Sequence, residues 1–97
     1  MKPNNELGEY LQSLRKERQL SLKEVAEPLG IDISMLSKIE KGVRKVQRQM
    51  IEPLASTLHV EQKSLNKKYI SQRILEEFGE DPLLLEALDE LYKSRIK

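Results

Sequence analysis

Two short amphipathic segments, separated by the single glycine Gly30, occupy the stretch from Ser21 to Gly42. Ser21 and Glu24 form a capping-box pattern that starts the first segment as a helix. Gly30 follows its last apolar residue, where a left-handed conformation ends a helix at little steric cost. Asp32 is suited to cap the second segment, and Gly42 ends it. The stretch therefore predicts two helices joined by a tight turn.

Apolar residues recur at helical spacing along the rest of the chain, whereas strand signals are weak. A first helix is predicted around residues 7–14, and a fourth is predicted to open at Gln47. A fifth is predicted over about residues 62–78, and a sixth from Pro82 with Asp81 as its N-cap. The inward residues expected in the fourth and fifth helices are Ile51, Leu54, Ala55, Leu58, Leu65, Tyr69, Ile74 and Phe78. The sequence thus predicts an all-α fold.

Two prolines conflict with this pattern. Pro28 lies inside the predicted second helix and Pro53 inside the fourth, where proline removes a backbone hydrogen bond and clashes with the preceding turn. We expect the second helix to kink or to end early. In the fourth helix the spacing of Ile51 favours a bend at Pro53, and the alternative is a start near Glu52 that places Pro53 in the first turn.

The composition is that of a compact helical protein, and it disfavours catalysis. A chain of 97 residues with 38% hydrophobic and 34% charged residues is long enough for one domain and a small extension. Without cysteine, the chain can form no disulfide and no thiolate metal site. Its single histidine excludes most metal sites and catalytic triads that depend on histidine. No carboxylate pair can be assigned to a pocket, and no phosphate-cradling glycine loop exists. We expect no catalytic residue, no metal and no cofactor.

The sequence also predicts a cytoplasmic protein that does not enter the membrane. Its longest apolar runs are only a few residues, too short to span a bilayer. The N-terminal ten residues lack the apolar core of a secretory signal.

The charges are distributed unevenly, although the net charge is only +1. Between Lys38 and Arg48 the single acid Glu40 stands against five bases, which are Lys38, Lys41, Arg44, Lys45 and Arg48. From Ile74 to Tyr92 there are seven acids and no base. This polarity is typical of a protein that turns one face towards phosphate and its far end away from it. Two solvated helix faces would give the same pattern.

The stretch of residues 20–42 resembles the helix-turn-helix of the XRE family, which includes phage lambdoid repressors and Cro. The resemblance extends over about residues 7–60 and includes the turn and the apolar positions of four helices. The matching residues are Val25, Ala26, Leu29, Gly30, Ile31, Leu36, Ile39, Glu40, Gly42, Leu54, Ala55 and Leu58. It implies a lambda repressor-like four-helix DNA-binding domain over residues 1–60, followed by one or two helices in a C-terminal extension over residues 61–97.

The resemblance implies that the second helix of the motif enters the DNA major groove, while the first crosses the backbone. It places base contacts at Ile33, Ser34 and Lys38, with Ser37 adjacent. Lys38 would donate to guanine and Ile33 would touch a thymine methyl group. The alternative for Ile33 is a packed or merely exposed residue.

Phosphate contacts are implied at Ser21, Lys41, Lys45 and Arg48, and Arg44 is added on charge and neighbourhood alone. Where the family often has a phosphate-binding glutamine, this chain has Leu22, so that contact is expected to be lost or to be replaced by Ser21 or Lys23. The resemblance further pairs Arg15 of the first helix with Glu40, as a structural ion pair that fixes the recognition helix.

The last predicted helix carries more leucine than a four-helix domain needs to cover. Its apolar residues are Leu84, Leu85, Leu88, Leu91 and Tyr92. An intramolecular core, a homodimer interface and a face for a protein partner such as a toxin or an inhibitory peptide each explain them. A two-fold dimer would present two recognition helices about 34 Å apart to a palindromic operator.

The leading hypothesis is a homodimeric transcriptional regulator, a repressor or operon controller, that binds double-stranded DNA sequence-specifically. The alternative is a protein-interaction module, antitoxin-like or a repressor antagonist, that uses the leucine-rich last helix. The five bases between Lys38 and Arg48 favour the regulator, and the leucine-rich last helix keeps the interaction module open. An enzyme is the least favoured interpretation.

Overall fold

The computed structural model describes residues 5–96, which form six α-helices and no strand. The helices are α1 (Glu6–Glu17), α2 (Leu22–Leu29), α3 (Ile33–Glu40), α4 (Ile51–Leu58), α5 (Gln62–Phe78) and α6 (Leu84–Arg95). The predicted all-α fold is confirmed for this part of the chain. None of these helices is long and apolar enough to cross a membrane. Residues 1–4 and 97, the outer ends of the two predicted domains, lie outside the described residues.

The helices α2 and α3 start at the caps that the sequence predicts. The Ser21 hydroxyl oxygen accepts the N–H of Glu24 at 3.0 Å, and the Glu24 carboxylate accepts the N–H of Ser21 at 2.8 Å. Gly30 ends α2 in the left-handed conformation, with φ of 71°. At the start of α3 the Asp32 carboxylate accepts the N–H of Met35 at 2.7 Å. Local chemistry therefore fixes both the helices and the turn between them.

Pro28 lies in the last turn of α2, and Pro53 lies in the first turn of α4. α2 runs to Leu29 and ends at Gly30, as the glycine predicts, so the early end expected from Pro28 does not occur. The bend favoured at Pro53 is wrong, because α4 begins at Ile51 and has Pro53 in its first turn, where a proline is tolerated. Gln47 does not open α4 either: it precedes a 3₁₀ turn over Arg48–Met50 that leads into the helix.

One hydrophobic core joins α1 to α5. Its most fully buried large side chains are Leu11, Val25, Leu36, Ile39, Ile51, Leu54, Leu58 and Leu65. Leu65 and Tyr69 come from α5, so this helix completes the core that the first four helices build. The division predicted at residue 60 lies between α4 and α5, two helices that pack against each other.

The bounds of α5 agree with the prediction, but its inward face is shorter than predicted. Leu65 and Tyr69 are buried as expected, and Ile74 is half-buried. Phe78, predicted to face inward, is 52% exposed. The core therefore ends before the last turn of α5, which helical spacing by itself does not reveal.

The last helix, α6, begins two residues later than predicted. Asp81 caps the turn that precedes it, where its carboxylate accepts the N–H of Leu83 at 2.9 Å, and Pro82 lies in this turn. No residue between Leu84 and Arg95 is buried. This helix therefore stands apart from the core that the other five share.

Candidate nucleic-acid interface

The helix α3 presents the side chains that the resemblance assigns to DNA bases. Its inward residues are buried, namely Leu36, Ile39 and Glu40. On its outward side Ser34 and Lys38 are exposed, Ile33 is 46% exposed, and Ser37 is half-buried. Ile33 is therefore not a core residue. A polar, accessible face on a helix with a buried opposite side is the arrangement that a groove-reading helix requires.

The loop between α3 and α4 turns back towards this face. Gly42 adopts a positive φ of 80°, and the N–H groups of Val43 and Arg44 donate to the carbonyl oxygen of Lys38 at 2.8 and 3.2 Å. Val46 is buried and anchors the loop to the core. Four of the bases predicted to contact phosphate are exposed along this segment, namely Lys41, Arg44, Lys45 and Arg48.

Arg44, added to the phosphate contacts on charge and neighbourhood alone, lies close to the outward side of α3. It lines a shallow groove together with Ser34 and Lys38 at the N-terminal half of α3. A cation beside this groove raises the local positive potential where a phosphate backbone would pass.

The remaining predicted phosphate contacts, Ser21 and Lys23, are exposed at the start of α2. The Ser21 side chain is already engaged in the capping box. The Lys23 ammonium lies 3.9 Å from the Glu27 carboxylate, in an exposed pair of the kind that contributes little to stability. A phosphate can replace such a partner, and the helix N-terminus adds amide groups that attract anions.

Arg15 and Glu40 form a buried, bidentate ion pair between α1 and α3. Arg15 Nε and Nη2 donate to the two carboxylate oxygens of Glu40 at 2.7 and 3.0 Å. Arg15 Nη1 donates to the Leu20 carbonyl oxygen at 3.0 Å, so the segment before α2 is attached to the same guanidinium. The pair therefore connects α1 directly to the C-terminal end of α3.

The hydrogen bond to Glu40, aided by the Glu40 charge and opposed by burial, raises the pKa of Arg15 above its usual value. A raised pKa means that this stabilisation is complete below the usual arginine pKa and is lost only as the pH rises through the folded-state value. Arginine pKa values are strongly alkaline, so Arg15 introduces no pH dependence near neutrality.

Two residues that the sequence analysis did not single out hold the end of α3. The Asn5 side-chain amide donates to the Glu40 carbonyl oxygen at 2.9 Å. A Cβ atom on Gly8 would lie 2.6 and 2.8 Å from the carbonyl oxygens of Ile39 and Glu40, so only glycine lets α1 approach so closely. A glycine within the first predicted helix was the available signal for this contact. Asn5 gave no local signal, because its partner is 35 residues away.

The acidic segment does not lie entirely away from the basic loop. A carboxylate oxygen of Glu76, on α5, is 4.0 Å from the Lys45 ammonium. The prediction that this segment faces away from phosphate is therefore wrong for Glu76.

The order and caps of the first helices agree with a known family. Residues 6–66, from α1 to the start of α5, match the helix-turn-helix domain family. This chain belongs to that family. The recognition made from residues 20–42 is therefore confirmed at the level of a helix-turn-helix protein.

Two relatives of this helix-turn-helix protein are described as uncharacterized HTH-type transcriptional regulators, from two strains of Mycobacterium tuberculosis. Each is 30% identical over 69 residues, which cover 71% of this chain. The chain spans about half the length of these curated relatives, 47% in each case.

The helix α6 lies beyond the family match, and it holds the residues predicted to form a dimer interface. Leu85, Leu91 and Tyr92 are 78%, 54% and 64% exposed, while Leu84 and Leu88 are half-buried. The intramolecular-core explanation does not hold for Leu85, Leu91 and Tyr92, which are exposed, whereas Leu84 and Leu88 are partly covered within the chain. The helix-turn-helix protein thus leaves an apolar helix side largely open to solvent.

Proposed function

We propose that this helix-turn-helix protein is a sequence-specific, double-stranded DNA-binding transcriptional regulator of the XRE type, acting as a repressor or operon controller. The observation that carries the proposal is the exposed outward side of α3 beside the exposed bases of the following loop. The buried pair of Arg15 and Glu40 holds this helix in a fixed orientation. Fixed geometry matters, because base reading depends on a few side chains placed precisely against base edges.

In this proposal the N-terminal end of α3 enters the major groove. Ile33, Ser34 and Lys38 contact base edges, and Ser37 lies next to them. The phosphate contacts that set the register are Ser21, Lys23, Lys41, Arg44, Lys45 and Arg48. Lys38 donates to guanine O6 and N7, and Ile33 packs on a thymine methyl group.

The first test is selection of bound sequences from a random duplex pool, followed by titration of the full chain in increasing salt. The logarithm of the binding constant is expected to fall linearly with the logarithm of salt concentration, by about 0.9 per phosphate neutralised. A selected sequence with a two-fold repeat would support the dimeric form. Binding that is absent, or insensitive to salt, would contradict the proposal.

Two substitutions then distinguish a residue that contacts bases from one that contacts phosphate. Lys38→Ala is expected to relax base preference at one position and to cost about 1–3 kcal/mol against the selected site. Arg48→Ala is expected to weaken binding to every duplex alike. An equal loss on all duplexes for Lys38→Ala would reject its role as a base reader.

We further propose that the regulator acts as a homodimer joined through α6. One side of α6 carries Leu84, Leu88, Leu91 and Arg95, which follow one another at spacings of four, three and four residues. This apolar side therefore ends in a positive charge. Parallel helices would place two Arg95 side chains together. An antiparallel pair places each Arg95 near the partner's Asp81, just before the helix start, and also opposes the helix dipoles favourably. The charges therefore favour a second copy in antiparallel orientation.

The dimer is expected to be weak in the absence of DNA. A helix of 12 residues is only about 18 Å long, so two of them bury less area than the roughly 800 Å² per partner of a standard interface. A palindromic operator would bring two copies together and strengthen the association.

The second candidate function is a protein-interaction module, and the same exposed side of α6 favours it. Sedimentation of the full chain over a range of concentrations distinguishes the two. A dimer that Leu85→Asp abolishes and Glu86→Ala, on the polar side of α6, preserves would support self-association. A monomer at all concentrations, on and off operator DNA, would instead favour a partner protein.

A further inference from the structure

Two arginine side chains, one from the basic loop region and one from α5, converge on Tyr69. The guanidinium carbon of Arg48 lies 5.6 Å from the centre of the Tyr69 ring, and that of Arg73 lies 5.9 Å from it. Arg73 Nη1 also donates to the Tyr69 hydroxyl oxygen at 3.0 Å. The ring itself is buried, at 8% exposure, and belongs to the core. The buried Tyr69 ring therefore makes cation–π contacts with both guanidinium groups and fixes their positions.

One turn further along α5, Glu76 joins the same group of charges. Its Oε1 atom lies 3.5 Å from Arg73 Nε and 4.0 Å from the Lys45 ammonium. This oxygen is buried and accepts no hydrogen bond within residues 5–96, so both cations are held by charge attraction at longer range. Lys45 and Arg73 thus lie near one carboxylate, Arg48 and Arg73 lie near one aromatic ring, and all three cations are exposed to solvent.

Three exposed cations, two of them beside the Glu76 carboxylate, come together at the junction of the loop and α5. Arginine side chains on a fixed support are suited to phosphate oxygens, because the planar guanidinium offers donors in a fixed fork. Within residues 5–96 the contacts of Arg73 with Tyr69 and Glu76 involve Nη1 and Nε, so Nη2 can donate to a further acceptor. Arg73 Nε and Glu76 Oε1 are 3.5 Å apart without a hydrogen bond, so this pair is a weaker competitor for a phosphate than a bidentate pair would be.

We propose that Arg73 extends the phosphate-binding surface onto α5, with Tyr69 as the positioning residue that holds Arg73 and Arg48 side by side. The inference rests on the proposed function, because its ligand is the DNA backbone that the reading helix would place beside the loop. In it, a phosphate takes the place of Glu76 as the partner of Arg73 and Lys45. The α5 helix thereby contributes to the interface as well as to the core.

The test compares Arg73→Ala with wild type on the selected duplex and on a scrambled duplex, over a series of salt concentrations. We expect a uniform loss of affinity on both duplexes and a salt slope reduced by about 0.9 per bound subunit. Arg73→Lys retains the charge and is expected to recover most of the slope. Lys67→Ala, which removes another exposed base of α5, is the matched control and should bind as wild type does.

Two further variants test the roles of Tyr69 and Glu76 in positioning Arg73. Tyr69→Phe keeps the ring but removes the hydroxyl that Arg73 contacts, so it should weaken binding without changing base preference. Glu76→Gln removes the carboxylate that competes with phosphate, so it should strengthen binding to every duplex. Thermal unfolding of each variant verifies that the fold is retained.

The outcomes separate this inference from the proposed function. If wild type binds with a clear salt slope and Arg73→Ala has the same slope, Arg73 is no phosphate contact and the inference is overturned. Weaker binding by Glu76→Gln would overturn the competition between carboxylate and phosphate. If wild type binds no duplex at all, the proposed function itself fails.

Discussion

The packed helices α1–α5 and the single helix α6 use leucine in opposite ways. Leu11, Leu36 and Leu58 are at most 1% exposed, whereas Leu85 and Leu91 are 78% and 54% exposed. In both regions the leucines recur at helical spacing, so the spacing predicts a helix and its apolar side but not the surface that covers it. In α1–α5 folding itself buries these side chains. In α6 they remain available for association.

The helix α6 is supported mainly by local interactions. Glu86 in its first turn and Lys93 and Arg95 in its last complement the helix dipole, and Lys93 lies 3.0 Å from the Asp89 carboxylate. Such contacts each contribute only about 0.2–0.5 kcal/mol, and isolated helices of this length are marginal in water. We infer that α6 unfolds locally before α1–α5 does, and that association increases its helicity.

The largest expected difference between the two regions comes from their ion pairs. Arg15→Met leaves the buried Glu40 carboxylate without its partner and is expected to cost about 3–5 kcal/mol. Lys93→Met removes the exposed pair of α6 and should cost less than about 1 kcal/mol. Urea unfolding followed by circular dichroism measures both. Equal urea midpoints for Arg15→Met and Lys93→Met would contradict the expected difference between the buried and the exposed ion pair.

A smaller but more direct comparison truncates one leucine in each region. Leu58→Ala creates a cavity in the core and is expected to cost about 2–5 kcal/mol. Leu85→Ala removes a side chain that is already in water, so the stability of the monomer should change by about 0.5 kcal/mol or less. Chemical unfolding at low protein concentration, where association is minimal, gives both values. A large loss for Leu85→Ala would mean that α6 belongs to the folding core.

The parts of the fold that the sequence predicted are those that local chemistry determines. Ser21 and Asp32 start their helices with side-chain caps, and Gly30 ends α2, because each interaction joins residues close in sequence. The bounds of α5 followed from periodicity in the same way. The pairing of Arg15 with Glu40 came from a family resemblance, since no local pattern connects α1 with α3.

The features that the sequence did not predict depend on tertiary packing. Phe78 continues the apolar spacing of α5, yet the core ends before it. Pro53 fits either a bend or a helix start, and only the 3₁₀ turn before α4 distinguishes them. The contact of Arg73 with Tyr69 joins residues within α5, but the pairing of two arginines on this ring requires Arg48, which comes from another element. Contacts between helices are therefore the features that the sequence alone does not predict.

The smallest expected effects come from glycine substitutions, one in each region. His59 ends α4 in the left-handed conformation, with φ of 57°, which costs a non-glycine residue about 1–2 kcal/mol. His59→Gly removes this strain but makes the unfolded chain more flexible, so we expect a net gain of about 1 kcal/mol or less. The thermal midpoint of α1–α5 should rise accordingly.

The matching change in α6 is Ser94→Gly, in an exposed position of the last turn. Glycine is a poorer helix former than serine by several tenths of a kcal/mol, roughly, so the helical circular dichroism signal should decrease slightly. Because no residue of α6 is buried, the loss should not be transmitted to the core, and the thermal midpoint should stay at the wild-type value. A lowered midpoint for Ser94→Gly would show that α6 folds together with α1–α5, and the exposed leucines would then need an explanation other than association.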